Sequence, residues 1–253
     1  MGTTIQLRSR LDATGNLQSE YDPATGETIA RRAAVILEDE FLYPAATIPT
    51  QGAPVIGYPW VKRTVQTGGT PTVAILANSA GGTVRLAIDA TSEKQESTLY
   101  GNDQLVWDMT KSATWEVKLS NHVLPSAAAV EMVFGLQSAW IDGPDNASFY
   151  AEFQQLATGV VNMRTKDGVQ TLSNSTGVTM VVDAFHIFRI DATDPTNVRF
   201  FVDNAEVSTP KQMSFAATGA NAILQPYVSV YKASGTGVGT IDLDMIQLAM
   251  NRS

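Results

Sequence analysis

The stretch FHIFRIDATDPTNVRFFVDNAEV, residues 185–207, decides the fold. In 185–191, His186, Phe188 and Ile190 share one face, and Phe185, Ile187, Arg189 and Asp191 share the other. In 198–203, Val198, Phe200 and Val202 oppose Arg199, Phe201 and Asp203. This two-residue period is that of half-buried antiparallel strands. ATDPTN between them is turn chemistry, and VDNAEV predicts a tight hairpin with Asp203-Asn204 at its bend. On the apolar face, His186 reads as a neutral residue hydrogen-bonded to a neighbour, because a buried imidazole needs both ring nitrogens satisfied.

The same pattern spreads outward. TPTVAIL (70–76), GTVRLAIDA (82–90), TWEVKLS (114–120), AVEMVFGLQ (129–137), SFYAEFQ (148–154), VVNMRT (160–165) and GTIDLDMIQLAM (239–250) all read as strands punctuated by Gly, Asn, Asp and Pro. About a dozen such runs predict an all-β sandwich of two antiparallel sheets. Trp107 and Trp115 lie in strands and read as core. Only ETIARRAAVILEDE (27–40) has the periodicity of a helix, and its end reads as strand. In TIDLDMI, Asp242 and Asp244 are expected on the wet face, with Ile241, Leu243 and Met245 opposite.

Residues 1–34 differ. They hold few large apolar residues, and their charges balance: Arg8, Arg10, Arg31 and Arg32 against Asp12, Glu20, Asp22 and Glu27. The sequence therefore divides into an extended, mostly irregular N-terminal arm over 1–34 and a sandwich domain over 35–253. Leu7, Leu11 and Ile29, with Arg8, Arg10, Arg31 and Arg32, are the candidate contacts of that arm with a partner.

Of the 253 residues, 44% are hydrophobic and 17% charged, with a net charge of −8. That composition supports a core. It argues against nucleic acid, whose phosphates need Lys and Arg clusters, and against anionic lipid. There is no cysteine, which excludes disulfides and thiolate chemistry. The opening residues lack the apolar core of a signal peptide, so folding in the cytoplasm is expected. His122 has no metal-spaced partner, and DGPDN (142–146) reads as Asx turns rather than a calcium loop. GTGVGT (235–240) reads as a hairpin turn, lacking the spacing of a phosphate loop. No cofactor or metal is expected.

With these residues in place, a resemblance emerges. FHIFRIDATDPTNVRFFVDNAEV resembles a strand pair of concanavalin A-like, laminin-G-like jelly rolls. EDEFLYP, YPWVK, GGTVRLAID and LQPYVSVYKASGTGVGTIDLDMIQL extend the likeness over roughly 38–250. GNDQLVWD and PYVSVYKASGTGVGT are most similar to tailed-bacteriophage virion proteins of the capsid-decoration, or cement, type. The resemblance implies a protein on the capsid surface, made in the host cytoplasm. Its partners would be the major capsid protein and neighbouring copies of itself, in a homo-oligomeric or multicopy assembly.

The same fold hosts glucanases, whose Glu-x-Asp-x-x-Glu signature aims carboxyl groups from one strand into a cleft. The comparable strand, ASFYAEFQ, offers only Glu152. The expectation is therefore a protein that is not an enzyme. The alternative is a lectin-like module that binds cell-surface glycans by stacking sugars on Trp60, Trp140 or Tyr150; a glucanase-type hydrolase ranks last.

Overall fold

The computed structural model describes residues 9–11, 17–21, 28–29, 34–41, 48–52, 59–77, 79, 82–157 and 159–251. Its strands are β1 (Ser9–Leu11), β2 (Leu17–Tyr21), β3 (Thr28–Ile29), β4 (Ala34–Asp39), β5 (Val61–Gln66), β6 (Thr72–Ile75), β7 (Val84–Ile88), β8 (Gln95–Tyr100), β9 (Trp107–Asp108) and β10 (Ala113–Val123). They continue with β11 (Val130–Gln137), β12 (Tyr150–Gln155), β13 (Val160–Lys166), β14 (Thr171–Thr179), β15 (His186–Ala192), β16 (Arg199–Val202), β17 (Ala205–Glu206), β18 (Ile223–Lys232) and β19 (Gly239–Asn251).

Two eight-stranded antiparallel sheets form a sandwich. Sheet I runs β17-β16-β15-β10-β19-β7-β6, with β4 also paired to β19. Sheet II runs β14-β13-β12-β11-β18-β8-β5, with β9 also paired to β18. Strand alternation sends one side of each sheet inward. From sheet I come Trp115, Val117, Phe188, Ile190 and Phe200; from sheet II, Met132, Phe134, Phe153, Met163 and Val228. Phe188 packs edge-on against Phe134 and Phe153, with centroids 4.8 and 5.0 Å apart, so one aromatic cluster ties the sheets together. Trp107 and Trp115 are buried.

The opening stretch folds as its alternation dictates. Phe188 faces Val202 and Ile190 faces Phe200 across β15 and β16. Asp203 and Asn204 have φ of +50° and +66°, the left-handed pair a two-residue hairpin requires. His186 departs from the buried reading. It stands half-exposed at the start of β15, and its Nδ1 lies 2.7 Å from the Asp203 carboxylate.

Two further expectations change. Residues 28–29 and 34–39 are strand, β3 and β4, not helix; Val35, Ile36 and Leu37 pair with Met250, Ala249 and Leu248 of β19. The wet and dry faces of β19 also swap midway. Lys118 faces Met245 while Leu119 faces Leu243, so Asp244 is an extra residue in a β-bulge. Met245 turns outward and Ile246 takes the core position.

The arm contacts expected from the sequence fall in two groups. Arg10 and Leu11 lie in β1 and Ile29 in β3, strands of a separate three-stranded sheet. Leu7, Arg8, Arg31 and Arg32 lie outside the described residues.

Candidate functional site

The outer side of sheet II is not an ordinary solvated face. Alternation places Glu131, Val133 and Gly135 of β11 outward, beside Tyr150, Glu152 and Gln154 of β12 and Arg164 of β13. On β18 and β8 the outward residues include Tyr227, Ser229, Glu96, Thr98 and Tyr100. Most are buried, because residues 138–149, joining β11 to β12, lie over them as a strap.

The strap is fastened at both ends. Its Trp140 Nε1 donates to Glu96 Oε1 at 2.9 Å, and Arg63 lies 3.2 Å from the ring centroid. Val61, Tyr100, Val133 and Tyr227 form a small apolar cluster beneath Trp140. Glu96 Oε1 also accepts from Thr98 and Tyr227. Burial raises the proton affinity of Glu96, opposed by these donors. Further along, Asp142 pairs with Lys94 at 2.7 Å.

The far end holds an ionic cluster. Arg164 Nη1 bonds the strap's Asp145, and Nη2 bonds Glu152. Glu131 Oε1 lies 3.7 Å from Nη1 and accepts from Gln154, whose amide also reaches Asp145 at 3.4 Å. Three carboxyl groups thus share one guanidinium. Burial, and then the negative charge of Asp145, push Glu131 up to about 8, with Arg164 opposing. Burial pushes Glu152 up to about 7, again against Arg164. Asp145 is the accessible member, 55% exposed, while the Glu152 side chain is 1% exposed. The cluster therefore sets a buried acid that holds its proton, Glu131, beside a solvent-exposed carboxyl group, Asp145, a pairing suited to acid–base chemistry.

Of the three aromatics expected to stack on sugars, two cannot present a face. Trp60 is buried and donates through Nε1 to Asp39 Oδ2 at 2.7 Å. Tyr150 is buried, with Arg164 4.9 Å from its ring centroid. Trp140 is half-exposed on the strap. DGPDN is committed to internal partners: Asp142 to Lys94, Asp145 to Arg164, and Asn146 to the Asp142 carbonyl. Among the described residues no group of three or more His, Cys, Asp or Glu could hold a metal ion.

Sequence reasoning missed Glu131 and Arg164. It looked for acids spaced along one strand, whereas this cluster is assembled across β11, β12, β13 and the strap. The available signal was a charged residue at an outward position in each of three neighbouring strands, legible only once their register is known.

No family model and no curated protein matches the chain. Solved structures do. A Shewanella oneidensis protein of unknown function aligns at TM-score 0.56 and 11% identity, over 86% of this chain and 87% of that one. An endo-1,3-β-glucanase from Streptomyces sioyaensis gives 0.56 and 14%, over 86% and 96%. The Bacillus licheniformis β-glucanase gives 0.51 and 12%, over 86% and 98%. The fold is a concanavalin A-like jelly roll. At these identities the likeness concerns the fold. It nevertheless contradicts the expectation that this chain is not an enzyme, since two of the three are glucanases. The ground of that expectation, a lone Glu152, also fails: Glu131 and Asp145 stand beside it around Arg164.

Proposed function

We propose that the protein is a glycan hydrolase working from the outer face of sheet II. The observation that carries this reading is the group of three carboxyls gathered on Arg164, with Glu131 and Glu152 buried and Asp145 open to solvent. Asp145, the exposed member, meets the glycosidic bond and relays the proton of buried Glu131 to the glycosidic oxygen as the carbon–oxygen bond breaks. The water that adds to the sugar carbon returns its proton to the same pair. Arg164 and Gln154 hold the two acids in register, and Glu152 fixes the guanidinium from beneath. The glucanase activity of similarly folded proteins supports a glycan as substrate.

The test is release of reducing ends from a panel of polysaccharides. Glu131→Gln and Asp145→Asn should each lower release by about 10²- to 10⁴-fold, with melting temperatures showing that the variants fold. A wild-type protein that cuts no glycan would leave the cluster as a structural ion-pair network.

A second reading concerns location and is compatible with the first. The likeness of GNDQLVWD and PYVSVYKASGTGVGT to phage virion proteins supports a capsid-decoration protein, with residues 1–34 clamping neighbouring capsid subunits or copies of this chain. A particle-borne hydrolase would meet cell-surface glycans there. Co-sedimentation with capsids, with and without residues 1–33, tests it; equal retention would remove the arm from the mechanism.

A further inference from the structure

The strap that supplies Asp145 also walls a second feature. Beyond the ends of β11, β12 and β18 lies an open pocket of about 350 Å³, within the size range of small-molecule sites. Trp140, Ile141 and Phe149 of the strap form one side; Leu105, Asn221 and Ile223 form the other. Ser138 and Ser148 add hydroxyls, and no charged side chain lines it.

We infer that this pocket is a subsite for an uncharged sugar, so that the glycan handled by this face is neutral rather than uronate- or sulfate-bearing. The inference rests on the glycan reading above and adds the substrate class to it.

Three observations carry it. First, the walls suit the apolar C–H face of a sugar ring, with a few neutral hydrogen-bonding groups for its hydroxyls. Second, Trp140 is fixed before any ligand arrives. Arg63 covers one face of its ring, Glu96 takes its Nε1 proton, and Asp103 Oδ1 accepts from its backbone N–H at 2.6 Å. The part of the indole that lines the pocket therefore needs no ordering when a sugar arrives. Third, the surrounding charge is unfavourable to anions. Asp103, Asp142 and Asp145 lie on or against the strap, and the four cations that hold it are committed, Arg63 to the indole, Lys94 to Asp142, Arg164 to Asp145 and Lys166 to the Ala147 carbonyl. The chain carries −8 overall. A sugar carboxylate here would be desolvated without a partner and repelled.

Calorimetry on Glu131→Gln protein, with cellotetraose, laminaritetraose, maltotetraose and chitotetraose against tetragalacturonate and tetraglucuronate, tests the inference. At least one neutral oligosaccharide should bind and neither uronate should. Trp140→Ala should weaken neutral binding at least tenfold. Asn221→Arg, at an exposed position, should do the same by placing a cation in the pocket without touching the strap's anchors. The inference is overturned if no neutral sugar binds, if a uronate binds more tightly, or if neither substitution alters affinity. Binding of a neutral glycan that wild type never cuts keeps the subsite and sinks the hydrolase. Turnover of a polyuronate does the reverse.

Discussion

Single ionisations around Arg164 set the chemistry, and they leave a mark on stability. Below about pH 4.5, folded and unfolded chains both hold the Glu131 proton, and nothing is lost. Above that the unfolded chain releases it, while the folded chain keeps it up to about 8. Each step of pH between these limits therefore favours unfolding, at roughly 1.4 kcal/mol per unit for one fully coupled group. Glu152 acts in the same sense up to about 7. The urea midpoint of the wild type should fall from pH 5 to 8, and Glu131→Gln should flatten that fall. A variant as steep as wild type would show that Glu131 is not the group holding the proton. None of this was legible from the sequence. AVEMVFGLQ shows an acid in an apolar run, but what shifts its proton affinity comes from Asp145 and Arg164, 14 and 33 positions away, and from burial under a strap. Trp140 was picked out as an aromatic, yet its partners Arg63 and Glu96 lie in β5 and β8, which no local pattern connects to it.

Elements were legible where their physics is local. The β15–β16–β17 segment follows from alternation and an Asp-Asn bend, both read within a few residues. The β19 bulge was not, because it is a register slip against β10 rather than a property of β19 itself. DGPDN shows only Asx turns in the sequence, since what makes the strap around it a wall is its fastening to sheet II. Pairing of β11 with β12 also hides a requirement at Gly135, which faces Glu152. A Cβ there would lie 2.5 Å from the Ala151 carbonyl oxygen and 2.5 Å from the Glu152 Cα, both backbone atoms without a flexible side chain to yield. Gly135→Ala should thus push β12 from β11, lowering stability by about 1–3 kcal/mol and displacing Glu152 from Arg164. Chemical denaturation measures the first effect. A variant as stable as wild type would mean that the two strands separate more readily than their close approach suggests.

For the whole molecule, the question is where the working body begins. Composition places a boundary near residue 34. Among the described residues, β1, β2 and β3 pair with one another, whereas β4 joins sheet I through β19. There Leu37 sits beside Leu248, and both Val35 and Leu37 pack on the core. Removing residues 1–33 takes no strand from either sheet, so the melting temperature should stay within about 3 °C of the full chain, equivalent to roughly 1 kcal/mol for a protein of this size. Removing residues 1–40 strips β4, uncovers the β19 edge at Ile246–Asn251, and exposes apolar surface from two half-buried side chains. That cut should lower the melting temperature by about 5 °C or more. Scanning calorimetry of the two truncations separates the cases, and the comparison bears on the capsid experiment. If the shorter deletion keeps its stability and loses capsid retention, the arm acts as a clamp. If it melts early, residues 1–33 belong to the body, and a loss of retention would report unfolding instead of a missing contact.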